Sequence, residues 1–255
     1  MKIRYIDLIE QSFDFPQEEF YVEDDELYFH EIPLMDIVKQ YGTPLKFTYL
    51  PIISESIEKA RMWFNVAMAK ANYGGKYFQC YCTKSSHFSF VMEEVLKNNV
   101  HIETSSAFDI NIIRSMEDEG VVDKTLHVVC NGFKLPEYIE NIGELINDGY
   151  DYVIPVLDNT VELDQLLGAT DKNLNVGIRI ASEEEPKFEF YTSRLGIGYQ
   201  DLVSYYKSHI QNNKRVNLKM LHFFINTGIK DTAYYWSELN KCMNVYCELK
   251  KICPS

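Results

Sequence analysis

From Lys76 onward the chain alternates short apolar runs with longer amphipathic segments, and no other feature restricts its fold as much. The runs 77–83, 100–104, 125–131, 152–157, 174–180 and 217–225 are nearly continuous in apolar residues and read as strands buried on both faces. Spacing of the apolar positions predicts helices over 86–98, 106–118, 136–148, 160–168, 199–211 and 231–250, with a polar insertion before 199. Alternation of this kind builds a parallel sheet covered by helices. Six strand–helix units in series favour a (β/α)8-type barrel over a doubly wound sheet. Eightfold closure needs two further strands, so the barrel is expected to be incomplete and the chain a fragment or an unusually short example.

Upstream, the pattern is different. Segments 19–22 and 26–30 are expected to form a hairpin through an Asp24-Asp25 turn, and 33–41 a short helix stopped by Gly42. Pro44–Leu50 reads as a strand broken by Pro51, and 54–71 as a long helix with Ile57, Ala60, Phe64, Ala67 and Met68 at helical spacing. We therefore divide the chain into an N-terminal extension with the first strand of a second domain (1–50) and the partial barrel (51–255).

With 25 Lys and Arg against 38 Asp and Glu, the net charge of −13 disfavours nucleic acid or an anionic membrane as partner. No run of 18 apolar residues and no secretory leader follow Met1-Lys2-Ile3-Arg4, so a cytoplasmic location is expected. The six cysteines fit neither a disulfide framework nor a metal site: Cys80 and Cys82 alternate on one strand, and Cys242, Cys247 and Cys253 fall at the last helix. They are expected to be reduced thiols, and no metal is expected.

The strand ends carry the reactive side chains: Lys84, Glu103, Ser105, Asn131, Asp158, Arg179 and His222. In a barrel these ends converge on one mouth. A lysine there, held partly dry, has an amine that is easily deprotonated and able to form a Schiff base with a carbonyl. Arg179, inside the run Val176-Gly177-Ile178-Arg179-Ile180, needs an acceptor; Glu103 or Asp158 would provide a structural partner, and a cofactor-side carboxylate a functional one.

Five segments, in order, resemble the barrel half of the ornithine/diaminopimelate/arginine decarboxylases, pyridoxal-phosphate enzymes of alanine-racemase-like fold. They are Tyr41-Gly42-Thr43-Pro44-Leu45-Lys46-Phe47, Tyr81-Cys82-Thr83-Lys84, Glu103-Thr104-Ser105-Ser106, Gly177-Ile178-Arg179-Ile180 and Ser193-Arg194-Leu195-Gly196-Ile197. The resemblance implies that Lys84 is the catalytic lysine that takes the aldehyde of pyridoxal 5'-phosphate, with Glu103, Ser105 and Arg179 around the cofactor and Ser193 and Arg194 on the substrate side. It implies decarboxylation of an amino acid, arginine above ornithine or diaminopimelate, by a homodimer. A racemase, or a regulatory homologue that has lost part of the chemistry, are the alternatives.

One departure stands out. Where the family has His-Phe-His-x-Gly-Ser, this chain has His222-Phe223-Phe224-Ile225-Asn226-Thr227. Phe224 thus falls at the ring-stacking histidine and Thr227 at the phosphate-side serine. A phenylalanine stacks but provides no proton and no polar edge. The family's glycine-rich phosphate loop and C-terminal β domain find no counterpart within the 255 residues.

Overall fold

The computed structural model describes residues 3–4, 19–181, 195–224 and 232–253. These divide into two units, Met1–Tyr49 and Leu50–Ser255. The first holds an antiparallel sheet of β1 (Ile3–Arg4), β2 (Phe20–Glu23), β3 (Glu26–Phe29) and β4 (Ile32–Pro33), followed by helix α1 (Leu34–Tyr41). Asp24 and Asp25 both have positive φ (50° and 62°), the conformation that a two-residue hairpin matched to strand twist requires. Their turn aligns Tyr21 with Tyr28 across the ladder, where the rings stack at 5.1 Å. Gly42, at φ 80°, ends α1 by donating its N–H to Val38 O, as the sequence suggests. The expected strand at Pro44–Leu50 does not form; an extended stretch becomes a strand only when a neighbouring chain pairs with it, and no described segment does so.

In the second unit α2 (Pro51–Lys70) begins with Pro51 in its first turn, where the missing N–H costs nothing. Pro51 therefore opens the helix. Of its apolar positions only Ile57 is buried, whereas Phe64 is half exposed against Tyr77. Six parallel strands follow, β5 (Cys80–Cys82), β6 (His101–Thr104), β7 (Val128–Cys130), β8 (Val153–Leu157), β9 (Leu174–Arg179) and β10 (Val216–His222). The helices between them are α3 (Ser89–Leu96), α4 (Ala107–Asp118), α5 (Pro136–Asn147), α6 (Glu162–Ala169) and α7 (Leu202–Tyr205), the last continued by a π-helical turn, Tyr206–Ile210. The final helix is α8 (Thr232–Ile252). No described helix is long and apolar enough to cross a membrane.

Strand order in the sheet follows sequence order from β5 to β10 without a reversal. A doubly wound sheet would reverse direction at a switch point, so this is barrel order. Curvature agrees. In a flat sheet the two edge strands would lie about 24 Å apart, five spacings of roughly 4.8 Å. Yet Lys84 Nζ, just beyond β5, stands 5.6 Å from the ring centroid of Phe224, just beyond β10.

Register separates the two faces. Ile102, Val128, Val153, Leu157, Val176 and Ile178 point outward and are buried beneath the helices. The alternate residues line the inside. From the N-terminal ends inward, His101 and His127 stack at 4.0 Å, with Tyr152 4.3 Å beyond. At the C-terminal ends stand Glu103, Asn131, Asp158, Arg179 and His222. Gly177 keeps the interior open between them: a Cβ there would meet Val156 Cγ2 at 3.2 Å and Met220 Cβ at 3.3 Å.

Candidate active site

Five strands bring their ends to one cluster. Asn131, at the end of β7, donates from Nδ2 to Glu103 Oε1 (3.1 Å) and approaches His222 Nε2 at 3.3 Å. In a flat sheet β7 and β10 would be about 14 Å apart, so this contact again requires the curl. The Asn131 amide is oriented from both sides, because its Oδ1 accepts the Gly132 N–H (2.9 Å) while Glu103 offers only acceptors. Nδ2 must therefore be the donor to His222 Nε2, and the neutral imidazole carries its proton on Nδ1. That Nδ1 is buried with no hydrogen-bond partner among the described residues.

Burial holds His222 down to about 4; the Arg179, Lys84 and Lys134 cations push the same way and Glu103 opposes them. A histidine depressed in this way binds protons more readily once unfolded. Its stabilising contribution is complete above the ordinary histidine value of 6.5 and is lost as pH falls towards about 4. The loss amounts to about 3 kcal/mol. Comparison of the wild-type chain with His222→Gln by urea denaturation across this range is expected to show their stability difference narrowing on acidification.

Arg179 and Asp158 face each other, Nη1 to Oδ1 at 3.6 Å, so the structural partner is Asp158. Asp158 is 0% exposed, and neither carboxylate oxygen accepts a hydrogen bond among the described residues. Its acidity is weakened chiefly by burial, against the pull of Lys134 and Arg179. The Arg179 guanidinium lies 5.4 Å from the Phe224 ring, the same ring that Lys84 approaches, and both distances suit cation–π attraction. Cys82 Sγ completes the inner surface 3.7 Å from Glu103 Oε1, its thiol raised by burial.

Two expectations about the site differ from this arrangement. Lys84 is exposed where a partly dry amine was expected, because among the described residues β5 is an edge strand with no neighbour on one side. Ser105 does not join the cluster: its N–H and hydroxyl both go to Asp109 Oδ2, at 2.8 and 3.3 Å, at the start of α4. Ser193, Arg194 and Thr227 lie outside the described residues. The N–H of Gly196, in a glycine pair that resembles an anion loop, is used by Asp158 O at 2.7 Å. Gly196 sits at φ 106°, and a Cβ there would fall 2.7 Å from Ala181 N, so only glycine fits.

Two buried residues beneath the cluster, Lys134 and Glu162, are absent from the sequence-based site. Asn159-x-x-Glu162 has the spacing of a capping box, a signal that would have placed Glu162 at a helix start. Among the described residues no group of three or more His, Cys, Asp or Glu side chains is arranged to hold a metal ion.

No family model matches the chain. It is 26% identical over 256 residues to a biosynthetic arginine decarboxylase of Vibrio vulnificus, covering 92% of this chain and 39% of that protein. Among solved structures, the diaminopimelate decarboxylase of M. jannaschii in complex with L-lysine superposes with a TM-score of 0.74 at 18% identity, over 92% of this chain and 54% of that one. The arginine decarboxylase of Paramecium bursaria Chlorella virus bound to agmatine gives 0.61 at 14%, over 86% and 54%. The chain thus spans about two fifths of this arginine decarboxylase and about half of these two solved chains. Together with the sheet order and the curl that joins its edges, these likenesses establish that the chain has the alanine-racemase-like fold of the arginine and diaminopimelate decarboxylases.

Proposed function

We propose that this chain serves the pyridoxal-phosphate-dependent decarboxylation of a basic amino acid, with arginine as substrate. The observation that carries the reading is the meeting of Lys84 and Arg179 on the ring of Phe224, beside the Glu103–Asn131–His222 chain. Arginine is favoured by the likeness to a biosynthetic arginine decarboxylase.

The residues present fit a cofactor of this type. Lys84 offers an exposed amine for its aldehyde carbon, Phe224 an aromatic face for its ring, and Arg179 a guanidinium that remains able to bind an anion at 3.6 Å from Asp158. Two buried polar groups without hydrogen bonds among the described residues, the Asp158 carboxylate and His222 Nδ1–H, provide an acceptor and a donor at the same mouth. When bound, pyridoxal phosphate supplies the electron sink for the charge left as a carboxylate departs. In this reading Asn131 and Cys82 hold Glu103 at the mouth, and neutral His222 donates from Nδ1. Phe224 packs but moves no proton. Ser193 and Arg194 serve the substrate and Thr227 the phosphate; Ser105 serves through its hold on Asp109.

Phe224 also favours a second reading, a homologue that binds a partner or ligand without turnover. A carbon-dioxide release assay with pyridoxal phosphate and arginine, lysine, ornithine or diaminopimelate separates the two. Release from arginine at a rate well above the other three is expected. No release from any of them overturns the enzymatic reading.

A further inference from the structure

We propose that the buried Lys134–Glu162 pair is the positioning element of the mouth, setting where Asn131 and Asp158 stand and, through Asn131, how His222 is hydrogen-bonded. That the mouth binds a ligand rests on the function proposed above; the coupling within it does not.

The pair is deeply placed, with side chains 0% and 1% exposed and Nζ to Oε2 at 3.2 Å. Removing two charges from water is expensive, and a buried ion pair is often no more stable than apolar residues of the same volume. Stability alone therefore gives no reason for the pair. Its hydrogen bonds suggest one. Lys134 Nζ spends its three protons on Gly132 O (3.0 Å), Val156 O and Glu162 Oε2. Glu162 in turn accepts from the Asp158 N–H at 2.8 Å, the Lys134 N–H at 3.3 Å, Asn159 Nδ2 at 3.1 Å and Lys134 Nζ. No position on either group is left over.

These contacts fasten the end of β7 to the end of β8 at two points, one beside Asn131 and one at Asp158 itself. Gly132, whose carbonyl Lys134 holds, is the residue whose N–H orients the Asn131 amide. It sits at φ 85°, and a Cβ there would lie 3.2 Å from Ser105 O, so the loop has little room to move. Asn131 then presents Nδ2 to Glu103 and His222, while Asp158, tied through its own N–H, presents its carboxylate to Arg179. Lys134 also acts through space, its cation favouring neutral His222 and ionised Asp158.

The test is NMR titration of His222, with 15N shifts to read its tautomer, on the 255-residue chain without cofactor. The variant Lys134→Met/Glu162→Leu removes both charges at similar volume and so is designed to fold. The ring is expected to lose its single Nδ1–H form as Asn131 loses its anchor, and the titration of His222 to move upward as the Lys134 cation is gone. A folded double variant with the wild-type titration and tautomer overturns the proposal, because a pair that only holds the fold would leave both unchanged. Should that variant not fold, Glu162→Gln keeps the shape and leaves the Lys134 charge unbalanced; a downward movement of the His222 titration supports the proposal and an unchanged one overturns it. Failure of carbon-dioxide release with these couplings intact would remove the proposed function and leave this inference standing.

Discussion

Replacing Lys84 by alanine is expected to abolish the visible absorbance that appears when pyridoxal phosphate is added, and to lower turnover by roughly 10³-fold, about 4 kcal/mol of transition-state stabilisation. Among the described residues the amine is the one primary nitrogen that approaches the Phe224 ring, 5.6 Å from its centroid, in the turn just beyond β5, whose Cys80 and Cys82 face inward. Lys134, the other lysine beneath the mouth, cannot replace it because its ammonium already donates to three acceptors. Borohydride reduction followed by peptide mass spectrometry provides a second reading. The cofactor's mass should appear on the peptide containing Lys84 in the wild-type chain and be absent in Lys84→Ala. Unchanged absorbance and labelling in the variant would exclude Lys84 from the site.

Arg179→Met is expected to destabilise the fold by about 3 kcal/mol at neutral pH, the lower end of the range for removing one partner of a buried pair. The carboxylate left behind, Asp158, is 0% exposed and has no hydrogen bond among the described residues. Lys134 remains close enough to favour its ionised form, which moderates the loss. The pH dependence has a definite sign. Burial raises Asp158 above the ordinary carboxylate value of 3.8, so its ionised form weighs against the folded state. That penalty is absent well below 3.8, grows as pH rises through the folded value, and is larger once Arg179 is gone. Urea midpoints of wild type and Arg179→Met should therefore converge on acidification. A difference that widens instead would show that Arg179 stabilises the chain through something other than Asp158.

The residues around the mouth also explain why some of the site was legible before any coordinates. A strand end in a parallel sheet is recognisable from its apolar run, and Lys84, Glu103, Arg179 and His222 each follow or close such a run. Their convergence needed only the barrel. Ser105 was named from its place after β6, but its hydroxyl donates to Asp109 Oδ2, a contact four residues away that strand-end position alone does not reveal. Exposure of Lys84 depends on whether β5 has a neighbour, which is a property of the sheet.

Period and punctuation in the sequence were enough to mark the six strand–helix units, the Asp24-Asp25 hairpin and the Gly42 helix stop, since the apolar runs and helical spacing are read within each segment and the turn and the stop rest on interactions within a few residues. The tertiary structure alone decided that Arg179 pairs with Asp158, that Asn131 bridges Glu103 to His222, and that Lys134 and Glu162 lie buried beneath them. Those contacts join residues from 21 to 91 positions apart, or depend on loops that do, and they exist because the sheet curls far enough to bring distant strand ends within hydrogen-bonding reach. Local preferences cannot encode a distance of that kind; the accumulated twist and register of six strands do.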